Sequence, residues 1–235
     1  MDQHSSSINP NRFISALSRN QRLKDLPLEI QRALADIASP RNFKAGQVIY
    51  LEGELAEGIY ILESGWVKAT RMSSQGREQA MLFLKPVEIF GDIAIFSETT
   101  YPGTVTALED GCVWVIPKDK FLQLVRTSQS LAMALIHHLS DRVLYYVMFV
   151  EDLALRDVEA RLANNLLQNA QLENGQLVIH RQQWTTFDEM AVRLGTVRDV
   201  LSRALKNLEV EGLLSVEKGA IHVLDPQGLE QRGKL

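Results

Sequence analysis

Five polar residues toward the C-terminal end have the types and spacing to meet a nucleic acid. Arg198, Asp199, Ser202, Arg203 and Lys206 share one side of a segment whose other side carries Val197, Leu201, Ala204 and Leu208 at intervals of four, three and four. A helix that buries one stripe and offers two arginines and a lysine from the other suits the major groove of DNA. There a guanidinium can pair bidentately with guanine O6 and N7, and a carboxylate can accept from cytosine N4. Upstream, Thr186-Phe-Asp-Glu189 has the form of a capping box, opening a short helix with Phe187, Met190, Ala191 and Leu194 on one face. Gly195 suits the tight turn between two helices. Thr196 is placed to cap the second helix, with Asp199 three residues on. GLLSVEKGAIHVLD then reads as a hairpin turning at Glu217-Lys218-Gly219-Ala220, a wing beside the helix pair. Against this stands a packing unit with a solvated charged face, because the stretch from Asp157 onward holds nine Lys/Arg and eleven Asp/Glu. Any basic face must therefore be local.

Other reactive side chains form no comparable set. No Ser/His/Asp arrangement, paired carboxylates, P-loop or HExxH is found, and FGDIAIF lacks the phosphate-cradle spacing. The expectation is a protein that is not an enzyme. The single cysteine, Cys112, excludes an intrachain disulfide, a CxxC metal clip and a four-cysteine iron–sulfur cluster; it reads as a small buried residue in the strand CVWVI. His137 and His138 are adjacent, so on a helix they point about 100° apart and cannot share one iron. His180 and His222 read as plain surface or strand residues, and no metal site is expected. Trp66 reads as core; Tyr101 fits either a core or an apolar pocket.

Several elements must position these groups. The 235 residues suffice for one large domain or two ordinary ones, and 46% hydrophobic with 23% charged residues is an ordinary globular balance. The net charge of −4 affects long-range steering rather than docking. No apolar run is long enough to span a bilayer, and the polar opening MDQHSSSINPNRF has no signal-like core, so the cytoplasm is expected. Leu26, Ile30, Leu34 and Ile37 predict a short amphipathic helix over 26–38. From Phe43 to Pro117, β-rich runs (QVIYLEG, GIYILESG, WVKATRM, QAMLFL, GTVTAL, CVWVIP) alternate with glycine-bearing turns, as in a barrel, sandwich or roll. After Pro117 the pattern turns helical. Ala132, Ile136, Leu139, Val143, Tyr146, Val150 and Leu153 step by four and three, the seam of a coiled coil. A second stripe, Leu135, Leu144, Val147 and Met148, lies to its side, so that one stripe can pack on the roll and the other on a partner helix, the alternative being that both are buried within one chain. Asp157 offers an N-cap for the helix VEARLANNLLQNA, and the break between Glu151 and Asp157 is a candidate hinge.

On these residues the sequence resembles the CRP/FNR family of bacterial transcription regulators, relatives of the cyclic-AMP receptor protein. The resemblance runs from about residue 20 to about residue 225, through FGDIAIF, KDKFLQL, LALRDVEARL and, above all, LGTVRDVLSRALKNLEVEGLL. It implies an α+β fold: an N-terminal cyclic-nucleotide-binding-like β-roll (jelly roll), a long dimerisation helix and a C-terminal winged helix-turn-helix. The expected divisions are a polar segment 1–22, the roll 23–127, the dimer helix 128–154 and the DNA-binding domain 155–235.

Arg198, Asp199 and Arg203 match the family's base-reading positions, with Asp199 where many members have glutamate. Thr186, Lys218 and Gly219 match positions near phosphates, and Asp157 matches the hinge aspartate. The family's nucleotide binders carry a Gly-Glu pair for the ribose and an Arg-Ser pair for the phosphate; here stand Gly91-Asp92 and Pro102-Gly103. Tyr146 stands where a small hydroxyl residue would meet the purine. Without the arginine the cyclic phosphate has no bidentate partner, which argues against cyclic AMP. Haem is the alternative the family offers, with His137, His138 and Cys112 as candidate ligands.

The effector pocket, if there is one, is expected around Gly91, Asp92, Ile93, Tyr101, Thr104 and Tyr146, and the dimer seam along Ile136, Leu139, Val143, Tyr146, Val150 and Leu153. The implied partners are double-stranded DNA, a second copy of the chain and RNA polymerase. The function expected is sequence-specific binding of a two-fold symmetric DNA site, with an unidentified effector or none. The alternatives are a haem- or other ligand-dependent sensor of this fold, or a module whose helix-turn-helix docks a partner protein.

Overall fold

The computed structural model describes residues 10–76, 78–182 and 185–234, which form two compact units, 1–142 and 143–235. Trp184, within the expected DNA-binding domain 155–235, and residues 1–9 lie outside the described residues.

Two four-stranded antiparallel sheets make up the roll of the first unit. One contains β1 (Ser39–Phe43), β3 (Gly58–Ser64), β6 (Ile89–Phe90) and β8 (Gly111–Pro117), in the order β1-β8-β3-β6. The other contains β2 (Val48–Tyr50), β4 (Val67–Met72), β5 (Glu78–Leu84) and β7 (Thr104–Ala107), in the order β2-β7-β4-β5. The β-branched and aromatic residues of these runs suit a pleated surface buried on one face. Ile59, Leu62, Leu84, Val105, Val113, Trp114 and Ile116 fill the core. Gly111 is required at its position, since a Cβ there would strike the Ser64 carbonyl and the Phe43 ring. All six β-rich runs predicted from sequence are strands; β1 and the two-residue β6 have no period of their own and emerge only from pairing. Trp66 is only half-buried, and the aromatic centre of the core is Trp114.

The expected polar segment 1–22 contains a helix. α1 (Pro10–Leu17) buries Phe13, Ala16 and Leu17, and Phe13 meets Trp114 edge-on with ring centroids 5.1 Å apart. Its three buried residues lie at spacings of three and one, too few to stand out from a polar run. Next comes α2 (Leu28–Ile37), as predicted, with Pro27 at its N-cap. The short α3 (Asp92–Phe96) and α4 (Lys118–Thr127) precede α5 (Gln129–Leu155), a single helix of 27 residues.

In the second unit, α6 (Val158–Asn169), α7 (Phe187–Arg193), α8 (Arg198–Val210) and α9 (Pro226–Arg232) enclose a core of Leu162, Leu166, Met190, Leu201, Leu205, Leu208, Ile221 and Leu229. The predicted hairpin is β11 (Leu214–Glu217) and β12 (Ala220–Val223). It is not isolated: β9 (Gln171–Glu173) and β10 (Gln176–His180) extend it to a four-stranded sheet, β11-β12-β10-β9. No described helix is long and apolar enough to cross a membrane.

Because Phe13 is fully buried against Trp114, Phe13→Ala should cost roughly 3–5 kcal/mol of unfolding free energy, measurable by urea denaturation. A loss below about 1 kcal/mol would separate α1 from the core.

Candidate nucleic-acid interface and sensor site

The helix pair is held by local hydrogen bonds that the sequence specifies. Thr186 caps α7 through its Oγ1, which accepts from the Glu189 amide at 3.2 Å. Gly195 turns with φ +65°. α8 begins at Arg198, one residue later than a Thr196 cap would give: Val197 occupies the cap in extended conformation, and no side chain caps the helix. Thr196 is half-buried, its amide donating to the Ala191 carbonyl at 2.9 Å. Since the helical phase starts after Val197, that residue is 55% exposed, and Leu205 joins Leu201, Ala204 and Leu208 on the buried face instead.

Arg198, Asp199, Ser202, Arg203 and Lys206 are all exposed. Arg198 Nη1 lies 3.4 Å from Asp188 Oδ2, with both side chains more than half exposed. Arg203 Nε donates to the Asp199 carbonyl at 3.4 Å. Exposed pairs of this kind are weak in water, so both guanidiniums can exchange them for a stronger acceptor. Lys218 and Gly219 form the exposed β11–β12 turn, Gly219 with φ +96°. Asp157 caps α6, its Oδ1 accepting from the Ala160 amide at 2.8 Å, just beyond the end of α5 at Leu155.

Along α5 the seam residues Ile136, Val143, Val150 and Leu153 are exposed, while Leu139 and Tyr146 are half-buried. The expected second stripe is corrected. Only its Leu135 is buried; Leu144, Val147 and Met148 are 58–63% exposed. The stripe that packs on the roll is Leu131, Leu135, His138 and Arg142, at spacings of four, three and four. Its later members are polar, so hydrophobic periodicity could not find them. His138 Nε2 lies 2.9 Å from Asp92 Oδ2, and Arg142 Nη2 donates to the Ile89 carbonyl at 2.9 Å.

Gly91, with φ +82°, packs so closely that a Cβ would approach the Tyr60 ring at 3.0 Å and the Gly58 carbonyl at 3.1 Å. Asp92 is 3% exposed and engaged by His138. Ile93 is 37% exposed. Tyr101 is buried, stacks on Tyr50 with centroids 3.8 Å apart and donates its hydroxyl to the Gly58 carbonyl at 3.0 Å. Burial raises the pKa of the Tyr50 and Tyr101 phenols, keeping both protonated. Gly91, Asp92 and Tyr101 thus border one aromatic cluster with Tyr50, Tyr60 and Phe90. Thr104 stands apart on β7, its Oγ1 accepting from the Glu52 amide at 3.0 Å. Tyr146 belongs to the other unit.

Of the candidate haem ligands, His138 is committed to Asp92. His137 is exposed and lines a separate cleft with Gln21, Arg22 and Asp25. The Cys112 thiol is buried, and its pKa is pushed up to about 11, first by burial and then by Glu63. A group held protonated this far above neutrality is a poor thiolate ligand. Among the described residues no cluster of three or more His, Cys, Asp or Glu could hold a metal.

Comparison with known proteins gives a consistent picture. Residues 40–128 match the cyclic nucleotide-binding domain family, and residues 160–232 match the Crp-like helix-turn-helix domain. A CRP-like cAMP-activated global transcriptional regulator of Mycobacterium tuberculosis is 26% identical over 206 residues, 86% of this chain and 91% of its own. A cyclic AMP receptor protein of Thermus thermophilus is 27% identical over 205 residues, covering 87% and 92%. The structure of FixK2 from Bradyrhizobium japonicum superposes with a TM-score of 0.73 at 20% identity, covering 85% of this chain and 98% of that one.

With its pKa pushed up to about 11, Cys112 should react with a neutral-pH alkylating reagent only after unfolding. Mass spectrometry should find it unlabelled in the native protein, and rapid native labelling would contradict its burial.

Proposed function

Since the chain belongs to the CRP/FNR family of transcription regulators, which bind DNA through this helix-turn-helix, we propose that it acts as a homodimer on a two-fold symmetric DNA site, without catalysis. The observation that carries this reading is the exposed face of α8. Arg198, Asp199, Ser202, Arg203 and Lys206 stand opposite buried Leu201, Ala204, Leu205 and Leu208. In this reading Arg198, Asp199 and Arg203 meet base edges, while Thr186, Thr196, Lys218 and Gly219 approach phosphates. Residues 23–127 sense, 128–154 pair two chains and 155–235 bind DNA. Two α5 helices would bury the apolar residues Ile136, Leu139, Val143, Val150 and Leu153. A shift of that seam, relayed at Asp157, would set the recognition helices about 34 Å apart, the spacing of successive major grooves. RNA polymerase is the partner through which a regulator of this family acts in the cytoplasm.

The residues of the roll do not fit a cyclic nucleotide. Pro102-Gly103 offers the phosphate no cation, and His138 already holds the Asp92 carboxylate that a ribose would need. The control is therefore another effector or none, and cyclic AMP enters no step.

Selection from a random duplex library with purified, ligand-free protein should return a two-fold symmetric sequence whose affinity falls steeply with salt. No DNA binding under any condition would defeat the proposal, and salt-insensitive capture of a protein would favour a partner-docking module. Val143→Asp should yield a monomer that loses the symmetric site; a dimer still competent for DNA would refute the seam. Arg203→Ala should cost about 1–3 kcal/mol at the preferred site and relax its sequence preference, as measured by titration against variant duplexes. A loss uniform across all sequences would make Arg203 a phosphate contact.

A further inference from the structure

Beside the recognition helix lies a cleft of about 510 Å³ lined by Arg181, Gln182, Thr185, Thr186, Asp188 and Arg198, with Phe187 and Gly219 completing its wall. We propose that this cleft seats a backbone phosphate of bound duplex DNA and that Arg181 supplies its charge. The inference rests on the DNA-binding reading and adds to it a residue outside the helix-turn-helix signature.

Arg181 follows β10, and its backbone amide donates to the Gly219 carbonyl at 2.8 Å, fixing it beside the β11–β12 turn. Its side chain then runs toward the start of α7. Nη2 donates to the Thr185 carbonyl at 2.8 Å, and the guanidinium lies 5.0 Å from the centroid of the Phe187 ring. These two partners are neutral, and Nε is buried without an acceptor among the described residues. Unlike Arg198, which faces Asp188, Arg181 has no carboxylate partner among the described residues. A half-buried cation with only neutral partners attracts an anion far more strongly than one that already has a carboxylate.

The other lining groups match a phosphodiester. Thr186 Oγ1 accepts the Glu189 amide, which leaves its hydroxyl proton free to donate outward. Thr185 and Gln182 add a hydroxyl and an amide. Among the described lining residues Asp188 is the opposing charge, and Arg198 offsets it from 3.4 Å. The cleft lies between the recognition helix and the wing turn, where a DNA strand crossing from one to the other must pass its backbone. A strand seated there would also meet Arg198 as that residue leaves Asp188 for a base.

The test compares wild type, Arg181→Gln and Arg181→Lys on the selected duplex and on random duplex across a salt series, with thermal melting to confirm folding. Arg181→Gln should weaken binding to both duplexes by the same factor and flatten the slope of log affinity against log salt by about 0.9. Arg181→Lys should keep most of that slope. A single methylphosphonate placed along each half-site should, at one position, abolish the difference between wild type and Arg181→Gln. An unchanged slope and affinity in Arg181→Gln, with wild type binding steeply, would overturn the phosphate seat and leave the DNA-binding reading intact. Weaker binding with an unchanged slope would reduce Arg181 to a support for α7 and also overturn it. If wild type binds no duplex, the reading beneath the inference falls with it.

Discussion

Helix α5 carries more apolar surface than its own chain covers. Over its 27 residues, Leu131 and Leu135 are buried against the roll, yet Ile136, Val143, Leu144, Val147, Met148 and Val150 stay more than half exposed. Apolar area left in water forgoes about 25 cal/mol per Å², so a helix this rich in uncovered side chains is under constant pressure to find a partner surface. What keeps its first half in place is partly polar. The Asp92 carboxylate is almost fully buried, which is tolerable only with a partner, and His138 on α5 supplies it at 2.9 Å. Arg142, one helical turn further on, ties the same helix to the Ile89 carbonyl. The segment 89–92, where the family's ligand pocket would lie, is thus bonded directly to the helix proposed to pair two chains.

The same economy governs the DNA-binding unit. α7 and α8 are short, and neither would hold its position alone. Thr186 fixes the start of α7, Asp157 the start of α6, and Asp225 the start of α9, each through a carboxylate or hydroxyl oxygen accepting backbone amides. With the three starts set, Leu162, Leu166, Leu201, Leu205 and Leu208 close the core. The charged face of α8 is left outward because the opposite face is fully used. Function here is a consequence of packing: the side that cannot be buried is the side that can meet DNA.

Much of this was legible in local pattern. The capping box at Thr186, the glycine at 195 and the apolar intervals of α8 predict the helix pair and its exposed face. The six β-rich runs and α2 are also where the sequence puts them. Each of these signals is short-range, with a cap three residues from its amide, a period of two or 3.6, and a turn residue with its own backbone preference. The errors are equally local in origin. Val197 caps α8 rather than entering it, which shifts the phase of one position, and the four apolar residues of α1, Phe13, Ile14, Ala16 and Leu17, are lost among polar neighbours.

By itself, the sequence determined the kinds of elements, their order and the residues offered from the recognition helix, because periodicity and capping act within a few residues. Only the tertiary structure decided what meets across long separations. It brought Phe13 to Trp114, His138 to Asp92, β10 alongside β12, and Arg181 to the turn at Gly219. No local pattern encodes such pairs. A polar residue that is buried because a distant partner satisfies it looks, in the sequence, like one that faces water.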